Sequence, residues 1–223
     1  MTEYSLHSEI KEWYMVSGDK LEVKVEDFVV DIRRGTLLIE IQTRNFSSIK
    51  KKLVKLLLNN QVRLVYPIAK LKWIVHVSSS GEFISRRRSP KKGKLIDLFY
   101  ELVHAPNLIN NRNFSLEILL TEEEELRCYD GRGSWRRRGV SIKDRKLLNV
   151  DERIVFEDGK DFRDFLPKEL DRNFTNKVLA RKLGISITLT QKITYCLRRM
   201  GVISIVGKNR NELLFQLVRS RTC

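Results

Sequence analysis

Apolar residues recur at helical spacing through residues 6–16 (LHSEIKEWYMV), which predicts an amphipathic helix. The pattern then shortens to the two-residue period of strands at 21–25, 28–32 and 36–43, with Arg33-Arg34-Gly35 as the turn before the third. A helix over 46–58 and a strongly apolar strand over 62–68 complete the order αβββαβ. Further on, a strand is expected over 71–77, a helix over 96–103 and a strand over 115–120. From Thr175, helical spacing returns in Val178, Leu179 and Leu183, breaks at Gly184, and resumes from Thr188 through Ile193, Cys196 and Met200. After Gly201 the chain alternates through Val202–Val206, turns over 207–211 and returns at Leu213-Leu214-Phe215. Helix, short turn, helix and hairpin predict a winged helix-turn-helix with a basic tip. No internal repeat is visible at solenoid spacing.

Composition adds a partner. The chain has 223 residues, 42% of them hydrophobic, so it can bury a core, and 43 Lys and Arg against 28 Asp and Glu leave a net charge of +15. Residues 168–223 hold twelve basic and three acidic side chains, a balance of +9. The remaining excess is clustered at Lys50–Lys52, Arg86–Lys94 and Arg132–Arg138. Such a chain is expected to meet a polyanion, with DNA the expected one. No apolar run approaches the roughly 18 residues of a membrane-spanning helix, so a soluble, cytoplasmic protein without a membrane partner is expected. Cys128, Cys196 and Cys223 are too few and too far apart for a disulfide framework or a zinc site. His7, His76 and His104 lack paired ligand spacing. The acidic stretch EDGKDFRDFLPKE, with Gly159 and Pro167, suggests a boundary between a domain of residues 1–157 and a winged-helix domain of residues 165–223.

Within the basic segments, residue types nominate contacts to nucleic acid. On the second helix of the C-terminal pair, Gln191, Lys192, Tyr195 and Arg199 form the expected outward face, with Lys208 and Arg210 on the wing. Two flexible loops add Arg86, Arg87, Arg88, Lys91 and Lys92 in one, and Trp135 among Arg136, Arg137 and Arg138 in the other. Plain surface charge, with Trp135 tucked against the core, is the alternative for these loops.

Two acids interrupt otherwise apolar strands, and a carboxylate there is costly unless paired or metal-bound. With Arg34-Gly35 as a two-residue turn, Asp31 pairs with Leu38 and Val29 with Glu40, so Asp31, Glu40 and Gln42 share a face. The two acids are then diagonal neighbours, roughly 7–8 Å apart, within reach of one hard cation. The αβββαβ order with Asp31 followed by Glu40-Ile41-Gln42 resembles the PD-(D/E)xK nuclease superfamily over about residues 5–77. That resemblance implies a restriction-endonuclease-like α/β core in which Asp31 and Glu40 hold Mg²⁺ or Mn²⁺, helped by Glu9 on the first helix. It also implies a homodimer, the form in which many members cut both strands. Val30 stands in place of the motif's proline and Gln42 in place of its lysine, a missing cation that Arg44 or Lys24 would have to supply. The expected function is a metal-dependent DNA endonuclease. The alternatives are a catalytically inactive, nuclease-like DNA-binding or regulatory protein, and a protein-binding winged-helix adaptor.

Overall fold

The computed structural model describes residues 5–218 and has a mixed α/β fold. Among the described residues the first elements are α1 (Ser5–Tyr14), β1 (Lys20–Val25), β2 (Phe28–Arg34), β3 (Leu37–Ile41), α2 (Phe46–Leu56) and β4 (Gln61–Val77). The middle of the chain forms β5 (Phe83–Arg88), the short α3 (Phe99–Leu102), β6 (Phe114–Tyr129) and β7 (Val140–Phe156). The last part forms α4 (Asn176–Leu183), α5 (Ile187–Arg199), β8 (Ile203–Asn209) and β9 (Glu212–Leu217). One sheet runs in the order β1-β2-β3-β4-β6-β7 with β5 alongside β4, and β8 and β9 form a sheet of their own. No helix among the described residues is long and apolar enough to cross a membrane. Cys223, Arg219 and Arg221 lie outside the described residues.

Contacts divide the chain into two compact units, neither of which is consecutive in sequence. The first takes in the chain up to Thr43, Leu64–Leu95 and Glu117–Ile154. Its core forms where the apolar stripe of α1 (Leu6, Ile10, Tyr14) meets Ile32, Ile39, Ile41, Val65 and Leu119 of the sheet. The second comprises Arg44–Arg63, Ile96–Leu116 and the chain from Val155 on. An aromatic cluster of Phe99, Phe156, Phe162 and Phe165, with ring centroids of the contacting pairs 4.5–6.1 Å apart, draws the second and third of those segments together.

Several local expectations are corrected. The segments 62–68 and 71–77 are one strand, β4, which runs through Pro67. Pro67 falls between the Val65 carbonyl, which accepts from Gln42 N, and the Ala69 carbonyl, which accepts from Gly93 N. There, between two neighbouring segments, a residue without an N–H costs little. Arg86, Arg87 and Arg88 belong to β5, not to a flexible loop, and pair with Val75, Ile74 and Trp73. β6 extends past Leu120 to Tyr129 and carries the acidic run Glu122–Glu125 inside the sheet. The expected helix over 96–103 is a 3₁₀ turn, Leu95–Leu98, followed by α3.

Alternation along the strand sends Glu123 and Glu125 to one face and Glu122 and Glu124 to the other, each beside its own partners. Glu123 and Glu125 are buried on one face, where Lys72 Nζ lies 3.7 and 3.5 Å away and Arg127 and Arg145 reach Glu125 at 2.6 and 3.1 Å. Burial pushes the Glu125 carboxyl up, but Lys72, Arg127 and Arg145 together outweigh it and hold the group below its usual value. Of the adjacent residues, Glu122 accepts from Trp73 Nε1 at 2.6 Å, while Glu124 accepts from Arg86 Nε at 3.0 Å.

Candidate functional site

The hairpin turn that joins β2 to β3 is Gly35-Thr36, because Arg34 pairs with Leu37, Arg33 with Leu38 and Ile32 with Ile39. The expected turn, Arg34-Gly35, lies one residue early. The parity is unchanged, so continuing the register would set Asp31 directly opposite Glu40 rather than diagonal to it. At that point the regular ladder gives way. Gln42 gives its N–H to Val65 on β4, so the Ile41 N–H faces β2, and the Asp31 carboxylate takes it at 2.8 Å. The same oxygen, Oδ2, lies 3.2 Å from Nε2 of His7 on α1. Across β1, Glu22 adopts a left-handed conformation, φ 50°, at the position facing Asp31. Asp31 thus holds two strand edges and a helix together.

The other expected ligands are placed in similar ways. Glu9 Oε2 accepts the backbone N–H of Leu147 on β7 at 2.5 Å, tying α1 to the far side of the sheet. Glu40 is 2% exposed, and the backbone of Gln42 is in the β3–β4 connection just described. A hydrated Mg²⁺ keeps several waters beside one or two open carboxylates. Asp31 Oδ2 and Glu9 Oε2 each accept a backbone N–H, and Glu40 is enclosed, so one oxygen each of Asp31 and Glu9 serves the fold as placed. Among the described residues, no group of three or more His, Cys, Asp or Glu side chains is placed to share a metal.

In the second unit, sequence fixes α4 and α5 by their caps: Thr175 accepts from Val178 N, Gly184 ends α4 with φ 62°, and Ser186 accepts from Leu189 N at 3.2 Å. Leu189, Ile193, Cys196 and Leu197 turn inward, and burial pushes the Cys196 thiol up to about 12. Thr188, Gln191, Arg198 and Arg199 are exposed, with Tyr195 half-buried beneath the two guanidiniums at 6.0 and 5.6 Å from its ring. Arg198 was not among the nominated residues. It lies seven residues from Gln191, nearly two full turns, and so on the same stripe, which the helical period alone can reveal. Lys192 is half-buried, with Nζ 5.9 Å from the Tyr100 ring, at the margin of the strip rather than its centre.

The β8–β9 hairpin pairs Asn209 with Glu212, leaving Arg210-Asn211 at the tip with Arg210 left-handed at φ 52°. Lys208 and Arg210 are exposed. At the foot of the tip, a hydrogen bond from Lys177 holds the Glu212 carboxyl below its usual value. Phe174, just before α4, bridges to Phe215 of β9 and so adds a third backbone segment to this small sheet.

The remaining nominated cations divide by environment. Arg86 is sandwiched between Glu124 and the Trp73 ring, 4.2 Å from its centroid, which is a sheet contact. Arg87, Arg88, Lys91 and Lys92 are exposed. At the end of the β6–β7 hairpin, Trp135 is 83% exposed, not tucked against the core, and Arg136, Arg137 and Arg138 are exposed around it.

A family model described as a domain of unknown function, DUF8091, matches residues 4–157. The chain belongs to this family. The DUF8091 segment therefore spans α1 to β7. A relative, an uncharacterized protein of Treponema pallidum (strain Nichols), is 27% identical over 216 residues, 96% of this chain and 85% of that protein. An alignment of that length continues past the DUF8091 segment into the region of α4, α5 and the β8–β9 hairpin. No solved structure matches the chain.

Proposed function

We propose that this protein binds nucleic acid, with duplex DNA the expected ligand, and that its αβββαβ segment serves as a scaffold rather than a cutting site. The observation that carries the reading is the second unit's exposed cations, Arg198 and Arg199 on α5 and Lys208 and Arg210 at the hairpin tip, where the nearby acid Glu212 is paired with Lys177. The order of backbone elements supports a winged helix: a bridging segment at Phe174, α4, α5, then the β8–β9 hairpin bonded back to that segment. In that arrangement α5 enters a major groove with Gln191 and Tyr195 toward base edges, and the wing cations meet phosphates.

A second reading, a Mg²⁺- or Mn²⁺-dependent endonuclease, is favoured by one observation, the shared parity of Asp31 and Glu40 in the β2–β3 register. It is the weaker reading because Asp31 and Glu9 each use one carboxylate oxygen on a backbone N–H. One pair of variants separates the two. Asp31→Asn keeps an acceptor for Ile41 N–H and removes the charge, whereas Asp31→Ala removes both. On the binding reading, Asp31→Asn leaves duplex affinity within about two-fold of the parent, and Asp31→Ala costs roughly 1–3 kcal/mol of stability by thermal melting. Loss of a divalent-dependent cleavage activity in Asp31→Asn, with stability intact, would instead establish the nuclease reading.

A further inference from the structure

An exposed tryptophan ringed by arginines is an expensive surface feature, since the indole is among the side chains that gain most from burial. The end of the β6–β7 hairpin is built to hold it there. The connection leaves β6 at Tyr129, which is 73% exposed, and re-enters the sheet at Val140. Asp130 is its buttress, accepting from Lys143 Nζ at 2.7 Å, Ser141 Oγ at 2.8 Å and Arg132 N at 3.0 Å. Gly131 takes a left-handed conformation at φ 71°. Gly133 packs so closely on the other arm that a Cβ there would lie 2.0 Å from the Val140 carbonyl oxygen. Arg137 N bonds to Ser134 O at 2.8 Å and Arg137 Nε to Val140 O at 3.3 Å, which closes the 3₁₀ turn that carries Trp135. The loop is therefore pre-ordered, and ordering entropy is largely spent before any ligand arrives.

We propose that this hairpin end is a stacking arm for single-stranded nucleic acid. The inference rests on the nucleic-acid reading above and deepens it, naming unpaired bases as the ligand of a second surface in the first unit. Trp135 presents a π-face on which any base can stack, and Tyr129 offers a second ring at the base of the arm. Arg132, Arg136, Arg137 and Arg138 supply cations for the backbone, with Arg136 5.5 Å from the Trp135 ring. The one acid of the segment, Asp130, is committed to Lys143, Arg132 and Ser141, which hold it well below the usual carboxylate range. A duplex hides its base faces by stacking, so an isolated protruding indole suits a single strand. Insertion into an anionic membrane surface would call for a broader apolar face than two aromatic rings among four guanidiniums.

The test measures the full chain against a labelled 20-nucleotide oligo-dT and a labelled duplex by fluorescence anisotropy. Trp135→Ala is expected to weaken oligo-dT binding about 5- to 100-fold and to leave duplex binding within two-fold, while Trp135→Phe retains most of the oligo-dT affinity. The side chain stands in solvent, so the melting temperature should not move. Unchanged oligo-dT affinity in Trp135→Ala overturns the proposal, as does Trp135-dependent binding to phosphatidylserine vesicles with no oligo-dT binding. Failure of the duplex reading is separately visible: oligo-dT binding that depends on Trp135, with no duplex affinity, would refute the α5 and wing assignment and keep the arm.

Discussion

Replacing Arg198, Arg199, Lys208 and Arg210 together by alanine is expected to lower affinity for a 20-base-pair duplex by at least about 100-fold near 0.1 M salt and to flatten its salt dependence. If each side chain meets a phosphate, the slope of log K against log salt becomes shallower by about 3–4, because each contact releases close to one condensed counterion. All four are exposed, so their loss should not disturb the core. The bond from Asn110 Nδ2 to the Arg199 carbonyl, 2.9 Å, belongs to the backbone and survives the substitution. Lys192→Ala is a useful contrast, since its ammonium leans on Tyr100, and its effect should be several-fold smaller. Anisotropy titrations at three or more salt concentrations measure both quantities. Equal slopes for parent and variant would remove these residues from the interface.

The largest effect on stability is expected from Arg153→Ala. Glu117 is fully buried in β6, and its carboxylate accepts from Tyr14 Oη at 2.5 Å and Arg153 Nε at 2.6 Å. The hydrogen bond to Glu117 raises the Arg153 guanidinium above its ordinary value. Arg153 also stacks over Tyr14, its guanidinium carbon 5.1 Å from the ring centroid, which pins α1 to the sheet. Removing Arg153 strips the buried Glu117 carboxyl of this partner. Breaking such a pair costs about 3–5 kcal/mol, and the half-exposed Arg153 places this case near the lower end. At that size the melting temperature should fall by roughly 6–12 °C. Arg153→Leu with Glu117→Leu should recover much of the loss, because no buried carboxyl then remains to be paired. A single variant as stable as the parent would mean that Glu117 finds another cation.

Local pattern carried the sequence reading a long way. The caps at Thr175 and Ser186, the break at Gly184 and the alternation after Gly201 are short-range signals, and α4, α5, β8 and β9 stand where those signals put them. The αβββαβ run was legible for the same reason. What failed were features set by partners distant in sequence. Arg86–Arg88 read as loop because nothing local shows that Trp73, Ile74 and Val75 lie alongside them. The strand expected over 115–120 stopped short of Glu122–Glu125, since Lys72, Arg127 and Arg145 come together only across three strands. Asp31 shows the limit most plainly. Its parity with Glu40 was readable from the turn, but its use as an acceptor for Ile41 N–H depends on where β2 and β3 part, which the alternation of side chains does not encode. The division into units was equally hidden, because the segment after Val155 shares a core with Phe99 rather than standing alone.

The most direct measurement is the electrophoretic mobility of an end-labelled duplex incubated with the full chain at low salt in the presence of Mg²⁺ and, separately, Mn²⁺. A scaffold that binds through α5 and the β8–β9 hairpin predicts DNA that is retarded, recovered at full length after the protein is removed, and retarded equally by Asp31→Asn. Shortened DNA whose production is lost in Asp31→Asn, or DNA that is not retarded at all, would contradict it.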